Sequence, residues 1–297
     1  MFAAGAGALW GLVFLAPELV SAFTPLQLAI GRYLVFGIVS AALIRPRWRG
    51  LIAKVHRREW LALAGLGLTG NTLYYVLLST AVQQGGVAMT SLIMGLLPVT
   101  VAIIGSRERD AVSLLRLGPS LLLCIAGALC IGWQALAGPT DRLHAQLIGL
   151  LCAVGALVSW TAYAVSNSRC LARLPDISVH DWNLLVGLVT GAQAVALVPV
   201  SLAAERLPEA AAAWLDFVAV SIGATLLASL LGNALWNRMS RLLPMTMIGQ
   251  MVVFETLFAL LYGLMWERRL PTAAEIAAFT FVMSGVMACI SAHRRQA

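Results

Sequence analysis

Asn71, Tyr74 and Tyr75 stand at i, i+3 and i+4, the spacing that places three side chains on one face of a helix. Asn233, Trp236 and Asn237 repeat that spacing 162 residues later, with Gly232-Asn233-Ala234-Leu235-Trp236-Asn237 matching Gly70-Asn71-Thr72-Leu73-Tyr74-Tyr75. Amides beside aromatic rings suit a small solute: the amides hold its polar end and the rings cover its apolar part. The other assignment is helix packing, with the asparagines bridging neighbouring helices and the rings forming interfacial belts.

Further polar and ionisable residues interrupt stretches that are otherwise apolar. Trp160 and Tyr163 share a helix face, and the buried indole N–H of Trp160 needs an acceptor, which makes both candidate cavity residues. Trp10 is a weaker candidate of the same kind, because Gly7-x-x-x-Gly11 around it also reads as a close helix-packing face. Glu255, five residues after Gln250, is the outstanding carboxyl group: an ionisable residue in the middle of an apolar span is a candidate for coupling or substrate recognition. Arg32 is open to three roles: pairing with Glu18, pairing with Glu255, or snorkelling outward. Pro98, after the flexible Met94-Gly95-Leu96-Leu97, is a candidate hinge. Glu108 and Glu267 fall at span ends, where caps and loop salt bridges account for them.

Catalytic signatures are missing from this sequence. It contains no G-x-x-x-x-G-K-[ST] phosphate loop, H-E-x-x-H zinc pair or G-x-S-x-G elbow, and its four histidines lie in loops or near the terminus. We therefore expect no enzyme, no cofactor and no metal, with any uphill work drawn from a gradient.

The elements that position these residues follow from composition. Of 297 residues 60% are hydrophobic and 11% charged, less than half the charged share usual in soluble domains. Apolar runs of about 20 residues recur along the chain, long enough for the hydrocarbon core, and lack the alternation of barrel strands. Ten helical spans are expected, at roughly 2–21, 26–44, 60–80, 87–105, 113–133, 147–166, 182–202, 214–236, 244–265 and 272–292. The net charge of +7 sits in short loops between these spans, a topological signal that excludes a nucleic-acid face. With the N-terminus inside, 14 Lys and Arg residues fall on the cytoplasmic side and 4 (Arg142, Arg206, Arg268, Arg269) outside. This bias predicts cytoplasmic N- and C-termini in a bacterial-type inner membrane. Five cysteines, none at zinc-ligand spacing, read as inert thiols.

The doubled G-N-aromatic stretch has two weaker companions in the same order: Leu9-Trp10 with Ser159-Trp160, and Arg107-Glu108-Arg109 with Trp266-Glu267-Arg268. Two five-helix repeats, 1–138 and 139–297, explain all three. Because five is odd, the second must insert upside down, which is a transporter design with its site near the midplane. The ten spans, Leu9-Trp10-Gly11, Arg32, Pro98, Arg107-Glu108-Arg109 and Phe254-Glu255 together resemble the EamA-type drug/metabolite transporter superfamily. The wealth of Trp and Tyr is most similar to its aromatic amino acid exporter branch. The resemblance implies an all-α integral membrane protein that exports small organic solutes, aromatic or other apolar amino acids foremost, by alternating access. The lipid bilayer is its other expected partner, and its oligomeric state is left open. Rival functions are export of cationic drugs in the same fold, an intramembrane enzyme, and a passive channel.

Overall fold

The structure is a computed structural model that describes residues 2–105, 114–136, 142–232, 235 and 245–294. Among the described residues every regular element is a helix. They are α1 (Phe2–Leu19), α2 (Pro25–Ile44), α3 (Trp48–Ile52), α4 (Arg57–Gly67), α5 (Leu73–Met94) and α6 (Leu97–Gly105), then α7 (Leu114–Leu136), α8 (Leu143–Ala172), α9 (Val179–Ala204), α10 (Ala211–Ala224), α11 (Met245–Trp266) and α12 (Ala273–Arg294). Among the described residues, six helical stretches are long and apolar enough to cross a membrane: 25–52, 57–94, 116–134, 143–172, 179–204 and 211–232. Shorter apolar helices cover Ala4–Leu19, Phe254–Trp266 and Ala273–Cys289. Residues 57–94 run on without a loop, and the third and fourth spans part inside them at Gly86, whose φ of 84° only glycine adopts without strain.

Leu122, Ile125, Leu129 and Trp133 form a stripe along α7 that is 55–72% exposed. In water such a stripe would be an aggregation site, whereas against lipid chains it carries no cost.

Two helix geometries depart from the α form. Leu68–Thr72, between α4 and α5, and Thr225–Gly232, after α10, are π-helical. A π segment holds one extra residue in the helix and releases a carbonyl that needs another donor; it is often found at functional sites. The first contains Gly70-Asn71 and the second ends on Gly232, so the doubled sequence marks a widened helix in each half of the chain.

Contacts divide the chain into two compact units. Unit 1 comprises Met1–Glu18, Leu78–Leu157 and Leu226–Ala297, and unit 2 comprises Leu19–Leu77 and Val158–Thr225. In unit 2 the most extensive pairing is α2 with α9, and in unit 1 it is α7 with α12. Those are the second with the seventh expected span, and the fifth with the tenth. Small residues set both crossings. A Cβ on Gly37 would lie 2.7 Å from the Gly191 Cα, and one on Gly285 would lie 2.6 Å from the Cys124 Sγ. Ser120 adds a hydrogen bond from its Oγ to the Gly285 carbonyl, 2.7 Å, within the second crossing. Without a hydrophobic driving force between helices in lipid, such close approach is what holds them.

Candidate functional site

In unit 2 the π turn at 68–72 is held by side chains from two helices, α8 and α9. Asn71 Nδ2 donates to Thr190 Oγ1 at 3.3 Å, and Thr72 Oγ1 to Gln193 Oε1 at 2.9 Å. Gln193 Nε2 donates in turn to the Ala64 carbonyl at 2.8 Å, and Ser159 Oγ to the Thr69 carbonyl at 2.7 Å. Each bond occupies a polar group that would cost several kcal/mol if left bare in hydrocarbon. Tyr163 lies with its ring against Gly70, where any Cβ would overlap it, and the Trp160 ring packs tilted against Tyr163 with centroids 5.7 Å apart. Gly70, Asn71, Trp160 and Tyr163, distant in sequence, thus meet at one turn. Thr190 and Gln193 join them without having stood out in the sequence. Their signal was present there: two polar residues at i, i+3 in an apolar span, the same pattern that marked Asn71 and Tyr74.

Arg32 is buried in unit 2, so it does not snorkel outward. Its guanidinium lies 4.5 Å from the ring centroid of Tyr75 and 5.5 Å from that of Tyr33, which stack edge to face at 5.9 Å. A desolvated cation over aromatic faces gains about 2 kcal/mol. Tyr74 and Tyr75 are both buried. Tyr75 therefore serves first as the floor under Arg32.

Unit 1 contains the counterpart. Trp10 Nε1 donates to the carbonyl of Ala228, inside the second π segment, at 3.0 Å, and a Cβ on Gly232 would lie 2.6 Å from that same nitrogen. The Gly7 and Gly11 face packs on α11: a Cβ on Gly7 would lie 2.8 Å from the Glu255 backbone nitrogen, and one on Gly11 would lie 2.9 Å from that of Ala259. Close packing is therefore the role of those glycines, while Trp10 reaches sideways to the π turn. Glu255 is half-buried, the eleventh of the 22 residues of α11. Gln250 lies on the same helix, and its side chain is outside the described residues, as are Asn233, Trp236, Asn237 and Arg107-Glu108-Arg109. Pro98 is in the first turn of α6, where its missing N–H costs nothing, and the helix breaks just ahead of it at residues 95–96.

A cavity of about 520 Å³ opens in unit 1, lined by the ends of α1, α7, α8, α11 and α12 and by the middle of α5 around Gly86. Its walls carry Gln83, Gln84, Gln134 and Gln146, half of the eight glutamines in the chain. Five charged groups join them: Glu18, Arg142, Glu267, Arg269 and Glu275. α5 and α8 approach closely here, since a Cβ on Gly149 would lie 2.8 Å from the Gly85 nitrogen. Three of the charges are bound to one another. Arg269 holds the buried Glu275 through Nη1 and Nη2 at 2.7 and 2.6 Å, and its Nε donates to Glu267 Oε2. The bonds to Glu275 raise the Arg269 pKa above its ordinary value, so the guanidinium stays charged at every physiological pH. Glu275 also accepts from the Thr272 backbone N–H at 2.7 Å while Thr272 Oγ1 accepts from that of Glu275 at 3.2 Å, a capping box that starts α12. Thr272-Ala273-Ala274-Glu275 carries the capping-box spacing in the sequence itself.

Comparison with known proteins adds to this geometry. Residues 1–133 match the EamA-like transporter family. The chain is 28% identical to the inner membrane protein YtfF of Escherichia coli (strain K12), an alignment that takes in 98% of this chain and 94% of that one. A protein known from a crystal structure superposes with a TM-score of 0.63 over 100% of this chain and 98% of its own, at 22% identity, a likeness of fold alone. The family match over residues 1–133, together with the apolar helices, fits a membrane transporter.

Proposed function

We propose that the chain is a secondary transporter that exports small organic solutes, aromatic or other apolar amino acids foremost, by alternating access of a central cavity between two inverted five-helix repeats, 1–138 and 139–297. One observation carries the proposal. The glycine of each G-N stretch lies in or at the end of a π-helical turn, and each such turn is gripped by the opening helix of the other repeat. Trp10 of α1 reaches the turn ending at Gly232, and Ser159 and Tyr163 of α8 reach the turn containing Gly70. Reciprocal contacts of this kind are what an internal two-fold axis produces, and broken helices at corresponding positions of two repeats are where transporters of this design place their sites. The pairing of α2 with α9 and of α7 with α12 supports the same axis, each joining a helix to its own counterpart five spans on. The family match ends at residue 133, close to the end of the first proposed repeat.

The substrate class rests on the side chains near these turns. Trp10, Trp160 and Tyr163 offer flat apolar surfaces, with Tyr74, Tyr75 and Trp236 alongside in sequence. Asn71, Asn233, Asn237 and Gln250 offer amides to a polar end. Glu255 and Arg32 are the proposed charged groups of the transport cycle, and Pro98, beside the break at 95–96, the proposed hinge. Both termini are placed in the cytoplasm by the distribution of Lys and Arg.

Efflux from cells tests the substrate class. Cells overproducing the protein and preloaded with labelled tryptophan or phenylalanine should lose label several-fold faster than vector controls, with saturation as the internal concentration rises. Unchanged efflux of both, together with faster loss of a cationic dye, would reassign the substrate to cationic drugs.

A further inference from the structure

The polar cavity of unit 1 shares no lining residue with either π turn, and its chemistry specifies a ligand. Of its five charged groups, Arg269 is spent on Glu275 and on one oxygen of Glu267. Glu267 Oε1 takes no part in that contact and faces Gly86, 3.5 Å from where a Cβ would stand. Among the described residues Glu18 has no hydrogen-bond donor or cation against it, and Gln146 Oε1 is buried without a hydrogen-bond partner. The wall therefore presents two carboxylates and an amide carbonyl, all acceptors. A buried acceptor without a donor costs about 1–3 kcal/mol, which a ligand supplying the donor recovers. Arg142 is the remaining positive charge, exposed on α8's leading turn, and Val82, Met89 and Ile131 form an apolar wall.

We propose that this cavity is a second binding site, for a free amino acid held as a zwitterion. The ammonium group donates to Glu18, Glu267 Oε1 and Gln146 Oε1. The carboxylate faces Arg142, and the side chain lies on the apolar wall. A cavity of about 520 Å³ is within the usual range for small-molecule sites. The inference shares its ligand class with the transport proposal but concerns binding at another place, and its test reads binding alone.

The experiment is equilibrium binding of labelled L-phenylalanine to the full-length protein in lipid nanodiscs, with melting temperature recorded for every variant. N-acetyl-L-phenylalanine, which lacks the ammonium group, should fail to compete. L-phenylalaninamide, which lacks the carboxylate, should compete less well than phenylalanine. Glu18→Gln and Gln146→Met should each weaken binding at least about tenfold, the loss of one charge-assisted or otherwise unsatisfied hydrogen bond. Should Glu18→Gln fail to fold, Gln146→Met carries the test, because it deletes the acceptor and keeps the volume. Unchanged affinity in the folded variants, competition by the N-acetyl compound equal to that of phenylalanine, or no binding to the wild type would overturn the inference. Any of these with efflux intact would leave the transport proposal standing. Binding as expected with efflux lost would instead overturn the transport proposal and leave the second site standing.

Discussion

Alanine at Gly70 or at Gly232 should cut transport at least about tenfold, whereas alanine at Gly65 or Gly223 should preserve transport and raise the melting temperature. All four glycines lie in helical segments, where exchange for alanine ordinarily gains up to about 1 kcal/mol. The space around each decides the sign. Nothing lies within 4 Å of a Cβ added at Gly65 or Gly223, so the gain is realised in full. A Cβ at Gly70 overlaps the Tyr163 ring, and one at Gly232 falls 2.6 Å from Trp10 Nε1 and 2.8 Å from Cδ1. These are rigid ring atoms rather than the tips of flexible chains, so the ring or the π turn must move. Overpacking of that kind costs about 1–3 kcal/mol, and about 1.4 kcal/mol is a factor of ten. The displaced group is also the one that donates to, or packs on, a widened turn. Transport assayed beside thermal melting checks the prediction. Wild-type turnover in both Gly70→Ala and Gly232→Ala would remove the π turns from the mechanism and leave the doubled sequence as packing.

Glu255→Gln should abolish the pH step in transport while the protein still reaches the membrane folded. The exchange keeps the shape of the side chain and removes its capacity to titrate. For a group that must change protonation state once per cycle, the ratio of its two forms changes about tenfold for every pH unit. An amide imposes no such dependence. Glu255 sits at the middle of α11, on the turn that Gly7 of α1 contacts, and α1 is the helix whose Trp10 bonds the second π turn. A change of charge there acts on the same packed set of helices. Transport measured from acid to alkaline pH on wild type and variant is the check. Superimposable pH profiles would reduce Glu255 to a structural carboxyl group.

The helical membrane character was legible in the sequence because apolar length is a direct physical requirement of the bilayer. The recurrence of the G-N stretch was legible too, since the amides interrupt otherwise apolar spans. Its geometry was not. A π turn differs from an α turn by one residue, and no residue type enforces it, so hydrophobic period could not separate Leu68–Thr72 from the helices around it. The boundary between the third and fourth spans, expected between residues 80 and 87, falls at Gly86, the second glycine of Gly85-Gly86.

The unit 1 cavity was invisible for a different reason. Its charged groups lie at the ends of separate spans, where Glu267 alone reads as a loop salt bridge, a role it does fill with Arg269. Pairing with Glu18 was one of three roles open to Arg32 in the sequence; Glu18 lines this cavity, and Arg32 lies over Tyr33 and Tyr75. Only the fold brings Glu18, Gln146 and Glu267 to one place. Arg32 itself was recognised as exceptional, although the tyrosine floor beneath it depended on a face shared between α2 and α5.

Counterflow in proteoliposomes tests the central claim, that this chain is a carrier working by alternating access. Vesicles loaded with unlabelled tryptophan are diluted into trace labelled tryptophan, with no ion gradient imposed. A carrier returns label inward as its site re-exposes, so internal label should overshoot its equilibrium value and then decay, with a rate that saturates in tryptophan. Label that rises monotonically to equilibrium and never saturates would identify a channel. Label that stays at the level of protein-free vesicles, for tryptophan, phenylalanine and threonine alike, would contradict the amino acid carrier proposed here.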